Sequence, residues 1–159
     1  MKNRVFWSRF FLAASILTAI AIFCFSAQSG PDSAELSEGV TLTVARVVRP
    51  GFDELPAPEK LSFMDQLGLV VRKCAHFSEY ALLGFLTHGL RSSLPRESLL
   101  PFGLSVVWAM LAPCLDETIQ LFVPGRAGLV TDVLIDLGGV LVGTLLCQAL
   151  LRRGRLKSI

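Results

Sequence analysis

An unbroken apolar run from Phe10 to Phe25 is the sequence feature that most restricts the fold of this chain. Together with Val5 to Trp7 it approaches the roughly 20 residues that a helix needs to cross a bilayer. We therefore predict a first transmembrane helix over about residues 5–26. A cleaved signal peptide is the competing interpretation, although the run is long and lacks a clean A-x-A site.

The composition is also that of a membrane protein. Apolar residues make up 52% of the sequence, charged residues make up 18%, and the mean hydropathy is +0.58. The chain is thus more apolar and less charged than an average soluble domain. The net charge is only +2, and no basic patch predicts nucleic-acid binding. The four cysteines fall one per apolar segment, so we interpret them as small buried residues in helices.

Three further apolar segments complete the prediction of an all-α membrane protein with four transmembrane helices. They cover about residues 73–90, 99–115 and 129–151, and each is long enough to cross the bilayer or nearly so. We expect the whole chain, residues 1–159, to form a single domain.

The connection between the first two spans, residues 27–72, contains two amphipathic patterns. Asp32 and Glu35 have the spacing of a capping box at the start of the first pattern. The second pattern starts near Pro58, a residue type favoured in the first turn of a helix. We expect one or two short helices here, lying on the membrane surface or against the bundle.

Basic residues flank the predicted spans in a consistent arrangement. Because cytoplasmic loops are enriched in Lys and Arg, both termini and the short loop between helices two and three are predicted to face the cytoplasm. The connection 27–72 then lies outside. The basic residues used are Lys2, Arg4, Arg9, Arg91, Arg96, Arg152, Arg153, Arg155 and Lys157.

This topology brings polar residues from all four helices to the same outer end of the bundle. Burying a carboxylate at membrane depth costs several kcal/mol even on lenient scales, so a function is expected for them. Candidate acids and bases are His76, Glu79, Asp116, Asp132 and Asp136. Candidate substrate-binding residues are Ser26, Gln28, Lys73, Tyr80, Glu117, Gln120 and Arg126.

Carboxylates outnumber cations in this set, so either some are neutral or a cation is present. Coupled carboxylates beside a histidine can supply general acid and base groups, whereas the structural alternative is a network that locks the helix ends. His76, Glu79, Asp116 and Asp132 are potential metal ligands. No H-x-x-x-H or H-E-x-x-H spacing supports a metal site, so we predict neither a metal nor another cofactor.

Gly139 and Gly143 form a GxxxG motif that continues the face of Asp132 and Asp136. Such motifs allow another helix to approach closely. The polar face of the fourth helix is therefore predicted to be its packing face, and a homo-oligomer through this helix is a candidate assembly.

Three blocks of the sequence resemble the signature of the VanZ-like family. They are CFSAQSG at Cys24–Gly30, RKCAHFSEYALLG at Arg72–Gly84 and DETIQLFVPGRAGLVTDVLIDLGGVLVG at Asp116–Gly143. The family patterns K-x-x-H-F-x-E-Y, D-E-x-x-Q-x-F-x-P-G-R and D-x-x-x-D-x-x-G are matched at every named position. The resemblance implies a small bacterial integral membrane protein related to a factor that lowers sensitivity to the glycopeptide teicoplanin.

Two functions are compatible with these observations. The first is an enzyme in the bacterial cytoplasmic membrane that modifies an envelope lipid or lipid-linked precursor at the outer face, with Lys73 and Arg126 holding an anionic headgroup. The alternative is a non-catalytic module that binds an envelope lipid or a glycopeptide. A proton-coupled carrier is disfavoured because helices one, three and four lack polar residues in their inner halves.

Overall fold

A computed structural model describes residues 2–94 and 102–156. Within these residues the chain forms five α-helices and no strand, which confirms the all-α prediction. The helices are α1 (Lys2–Ser26), α2 (Gly30–Val48), α3 (Ala57–Ser93), α4 (Phe102–Gln120) and α5 (Val130–Leu156), with a 3₁₀ turn at Phe52–Glu54. The start of the predicted third span and the basic residues Arg96 and Lys157 lie outside the described residues.

Helices α1 and α5 are long and apolar enough to cross a membrane, over Arg4–Ser26 and Val130–Arg153. They coincide with the first and fourth predicted spans. Helices α3 and α4 do not meet the same criterion within the described residues. In α3 the polar residues Lys73 and Glu79 interrupt the apolar sequence.

Helix α3 runs without interruption for 37 residues, so the prediction of a separate surface helix before the second span is wrong. Pro56 caps its start, and no proline occurs between Pro58 and its end at Ser93. At 1.5 Å per residue α3 is about 55 Å long. Because the hydrocarbon core of a bilayer is only about 30 Å thick, a large part of α3 extends beyond one bundle end.

Helix α2 matches the first amphipathic pattern, and it packs against the extended half of α3 as a helical hairpin. Its start differs from the predicted capping box. The Ser29 hydroxyl accepts the Asp32 backbone N–H at 3.3 Å and donates to the Asp32 carboxylate at 2.6 Å. Ser29 is therefore the cap, and Asp32 is its reciprocal partner.

The other four helices pack around α3, which contacts each of them. Glycines set the closest approach, because a Cβ at Gly139 or Gly143 would overlap the backbone oxygens of Phe77 or Ala81. A Cβ at Gly84 would likewise overlap the Val140 backbone. The GxxxG motif is thus a packing face, as predicted, and α3 of the same chain occupies it. Assembly of copies through α5 stays a prediction and requires a different face.

The distribution of apolar side chains suits a protein surrounded by lipid. The core contains apolar residues of α1, α3, α4 and α5, with Tyr80, Leu83 and Ile22 its largest members. Many other large apolar residues are exposed on the outer faces of the same helices, and Leu17, Leu82, Met110 and Leu134 are among those at least half exposed. A contiguous apolar surface of this kind marks a membrane or protein contact. Three of the four cysteines are also exposed, so the prediction that they are buried holds only for Cys147.

Candidate functional site: a polar cavity at one end of the bundle

The α1–α2 link and the α4–α5 loop are joined at one end of the bundle. The backbone N–H of Gly30 donates to the carbonyl oxygen of Pro124 at 3.0 Å. Arg126 donates from Nε to the Gln28 carbonyl at 3.3 Å and from Nη2 to the Phe25 carbonyl at 3.2 Å. Arg126 therefore bonds one carbonyl in the last turn of α1, that of Phe25, and one in the link that follows, that of Gln28.

The start of α5 is held to the end of α4 by Glu117. Its carboxylate accepts the backbone N–H of Leu129 at 2.8 Å, and Gly128 passes so closely that a Cβ there would lie 2.5 Å from the Glu117 carbonyl oxygen. A negative charge at a helix N-terminus is also favoured by the helix dipole. Glu117 has a structural role that was not expected from the sequence.

A cavity of about 210 Å³ lies between these connections and α3. It is lined by Leu69, Arg72, Lys73, His76, Glu117, Gln120, Gly125, Arg126, Ala127, Leu129, Asp132, Ile135 and Asp136. Seven of the predicted site residues are in this set. At one side of the cavity Lys73 forms an ion pair with Asp132, so each neutralises the other.

Two buried carboxylates lie at the inner wall of the cavity, beside a histidine. Asp116 and Asp136 are 0% and 1% exposed. His76 Nδ1 lies 3.8 Å from an Asp116 carboxylate oxygen, which is too far for a hydrogen bond. One polar atom from each of these three residues lies within 4.8 Å of the others. The structure thus gathers three candidate acid and base residues from α3, α4 and α5 into one cluster.

Gln120 and Ser26 extend this cluster toward α1. The Gln120 amide donates to the Asp116 carboxylate at 3.3 Å, and its nitrogen also lies 3.5 Å from the Ser26 hydroxyl oxygen. Both side chains are buried, and the Tyr80 hydroxyl is buried without a hydrogen-bond partner among the described residues. These three predicted binding residues therefore face the interior of the bundle, while Gln28 contributes its backbone carbonyl to Arg126.

Comparison with known protein families shows to which family this chain belongs. A family model described as VanZ/LLP1 matches residues 11–152, which is nearly the whole chain. The chain belongs to the VanZ/LLP1 family. No match was found to a curated protein or to a solved structure. The resemblance drawn from the three sequence blocks is therefore confirmed.

Arg72 is a cavity residue of this VanZ/LLP1 chain that the sequence analysis did not select. It lines the polar cavity and also a larger groove of about 870 Å³ between α2 and α3. Among the residues that the structure describes, it forms no ion pair. Arg72 lies four residues before His76, and residues at this spacing share a helix face. That spacing could have identified it.

Glu79 is the predicted acid or base that lies apart from the cavity of this VanZ/LLP1 member. It is half-buried and is not among the residues that line the cavity or form the three-residue cluster. Glu79 lies two residues after Phe77, whose carbonyl contacts Gly139 of α5, and residues at this spacing are on opposite sides of a helix.

Proposed function

We propose that this VanZ/LLP1 protein spans the bacterial cytoplasmic membrane four times and acts on an anionic envelope lipid or lipid-linked precursor at the outer face. The observation that carries the proposal is the position of Arg72, a cation without an ion pair among the described residues, in the same cavity as His76 and Asp136. A phosphate bound there would lie beside groups able to transfer protons.

Four spans are supported by packing and by charge. Helices α1, α3, α4 and α5 lie side by side and expose large apolar residues outward. Four crossings would put both basic termini on the cytoplasmic side, in agreement with the distribution of Lys and Arg. The α2–α3 hairpin and the cavity would then lie at the outer face.

Arg72 is the best-suited anion ligand because the other two cations already have partners. Lys73 pairs with Asp132, and Arg126 donates to two carbonyls of the α1–α2 link. Burial and the nearby positive charge of Arg72 lower the pKa of Arg126, so an anion between the two guanidinium groups would relieve repulsion. A guanidinium can bind a phosphate through two parallel hydrogen bonds.

The larger groove favours a lipid-linked precursor over a simple phospholipid. It reaches the polar cavity at Leu69 and Arg72 and carries carboxylates of Glu35, Glu38 and Asp65 along its walls. Carboxylates accept hydrogen bonds from hydroxyl or amino groups. A phosphate at Arg72 could therefore continue into a sugar-like headgroup in the groove.

The proposal is tested by mass spectrometry of envelope lipids and cell-wall precursors. Cells lacking the protein are compared with cells expressing, at equal levels, the wild type, Asp136→Asn, Arg72→Gln or the distant control Arg49→Gln. We expect one species to change with the wild type and the control but not with the two cavity variants. Loss of a proton-transfer group should slow the reaction about 100-fold.

A non-catalytic binding module is the second candidate, favoured by the structural use of Arg126 and Glu117. Membership of the VanZ/LLP1 family supports a link to glycopeptide resistance. An unchanged inventory of lipids and precursors, together with a teicoplanin phenotype that Arg72→Gln abolishes and Asp136→Asn retains, would replace the enzyme by this module. If neither measurement responds to the protein, both candidates fail.

A further inference from the structure

Buried acceptor atoms from three helices converge at the inner wall of the cavity without hydrogen-bond partners among the described residues. Both carboxylate oxygens of Asp136, Oδ1 of Asp116 and Nδ1 of His76 are buried and have no hydrogen-bond partner among the described residues. Buried polar atoms are almost always hydrogen-bonded, so four such atoms in one place require an explanation. They have the chemical character of metal ligands.

Three donors near this cluster are used elsewhere, and the Tyr80 hydroxyl makes no hydrogen bond to it among the described residues. Gln120 donates to the second oxygen of Asp116, Lys73 pairs with Asp132, and Arg126 holds the end of α1. None of the three donates to Asp136 in the structure. Two fully buried carboxylates that lack cationic side-chain donors would be stabilised by a bound cation.

We infer that His76, Asp116 and Asp136 bind one divalent transition-metal ion. Imidazole is a good ligand for zinc and iron, and carboxylates suit manganese, so one nitrogen with two carboxylates selects a transition metal over Ca²⁺ or Mg²⁺. The 3.8 Å between His76 Nδ1 and Asp116 Oδ2 is close to the roughly 3.4 Å expected between two ligands of a tetrahedral Zn²⁺ site. One ligand atom of Asp136 lies within 4.8 Å of those of His76 and Asp116, so small side-chain rotations would complete the set.

The ion would have an open side toward the cavity. His76 and Asp136 line the cavity, whereas Asp116 is fully buried behind them. Three protein ligands with one open position are typical of catalytic metal sites, and structural sites are closed by four. This inference is independent of the proposed lipid, because its ligands are all protein atoms.

Gln120 would act as a positioning residue for this ion. Its amide donates to Asp116 Oδ2, the oxygen that lies 3.8 Å from His76 Nδ1, and so fixes the orientation of this carboxylate toward the histidine. Hydrogen bonds of this kind orient ligands and typically change metal affinity by 10- to 100-fold when removed. The sequence analysis named His76 and Asp116 as potential ligands but grouped them with Glu79 and Asp132, because the true members lie on three helices, 20 residues or more apart in sequence.

Metal binding is measured on the full chain, purified in detergent with any affinity tag removed and treated with a chelator. Zn²⁺ is titrated by calorimetry, Mn²⁺ binding is followed by electron paramagnetic resonance, and bound metal is counted by mass spectrometry. We expect one ion per chain. Asp136→Asn and His76→Gln should each weaken binding by at least about 100-fold, and Gln120→Ala by about 10-fold.

Matched controls separate a site from general loss of folding. Asp53→Asn makes the same change in the exposed 3₁₀ turn, away from the cluster, and His88→Gln changes a histidine elsewhere on α3; both should retain wild-type affinity. Metal should raise the melting temperature of the wild type and of the controls but not that of Asp136→Asn. No stoichiometric Zn²⁺ or Mn²⁺ in the wild type, or equal binding by every variant, overturns the inference, whatever the lipid measurements show.

Discussion

Arg126 donates its Nε hydrogen to the carbonyl oxygen of Gln28, which lies 98 residues earlier in the chain. A second bond from Nη2 reaches Phe25. Helix carbonyls at a C-terminus carry partial negative charge and have no intrahelical partner, so a guanidinium satisfies both requirements. This contact fixes α1 against the α4–α5 loop and thereby determines one wall of the cavity.

Replacing Arg126 by Ala should lower the free energy of unfolding by about 1.5–3 kcal/mol, since hydrogen bonds to charged groups are worth this much. Arg126→Lys keeps the charge but cannot present the same two donors, so we expect an intermediate loss. Unfolding is followed in detergent by circular dichroism. Arg72→Ala is the control, because Arg72 makes no comparable bonds among the described residues. Equal losses for Arg72 and Arg126 would contradict this role.

The close crossing of α5 over α3 predicts that alanine variants at two neighbouring glycines differ sharply in stability. In Gly139→Ala the new Cβ would overlap the Phe77 carbonyl oxygen, whereas in Gly138→Ala it would lie 3.7 Å from the Phe77 ring. Overpacking against backbone cannot be relieved by rotating a side chain, so Gly139→Ala should cost about 3 kcal/mol or more. Gly138→Ala should be neutral or slightly stabilising, because Ala is the better helix former.

The same thermal-unfolding assay distinguishes these two variants, and Gly143→Ala provides a repeat one turn further along α5. A Gly138→Ala variant as unstable as Gly139→Ala would show that close packing against the Phe77 backbone does not explain the loss.

The sequence predicted the convergence of polar groups well because helical spacing determines which residues share a face. Asp132 and Asp136 at i, i+4 do lie on the packing face of α5, and His76 does point toward them. The C-terminal end of α2 also follows from local sequence, since Pro50 and Gly51 come directly after its cap at Arg49 and stop a helix. These features depend on residues near each other in sequence.

The separate roles of the polar residues could not be predicted because they depend on contacts between distant segments. Arg126 and Glu117 have the chemistry of ligand-binding residues, but the structure uses them at the ends of α1 and α5. The continuity of α3 was missed for a different reason. A change from amphipathic to apolar sequence suggested a boundary, although no proline interrupts the helix there.

Glu117 should stabilise the start of α5 through its bond to the Leu129 N–H. Glu117→Ala removes the acceptor, and we expect a loss of about 1–2 kcal/mol, the range measured for helix caps. Glu117→Gln keeps an acceptor without the charge, so its loss should be smaller. Hydrogen exchange at the first turn of α5 reports the effect locally. Unchanged exchange in Glu117→Ala would rule out the capping role.

The four-span topology and a two-span alternative place the end of α3 on opposite sides of the membrane. If only α1 and α5 cross, both termini still share a side, so labelling the termini cannot decide. Ser93, at the end of α3, lies inside in the four-span arrangement and outside in the other. Glu38, on α2, lies outside in both. Single-cysteine variants at these positions, in a chain whose four native cysteines are replaced by alanine, can be labelled with a membrane-impermeant maleimide.

In intact cells we expect labelling at Glu38→Cys and none at Ser93→Cys, with Ser93→Cys becoming reactive after permeabilisation. We expect four crossings because burial of His76 and Glu79 against neighbouring helices would make an interrupted apolar helix such as α3 acceptable in lipid. Labelling of Ser93→Cys in intact cells would instead place α3 and α4 outside the hydrocarbon core, and the cavity would then be open to water on the envelope side.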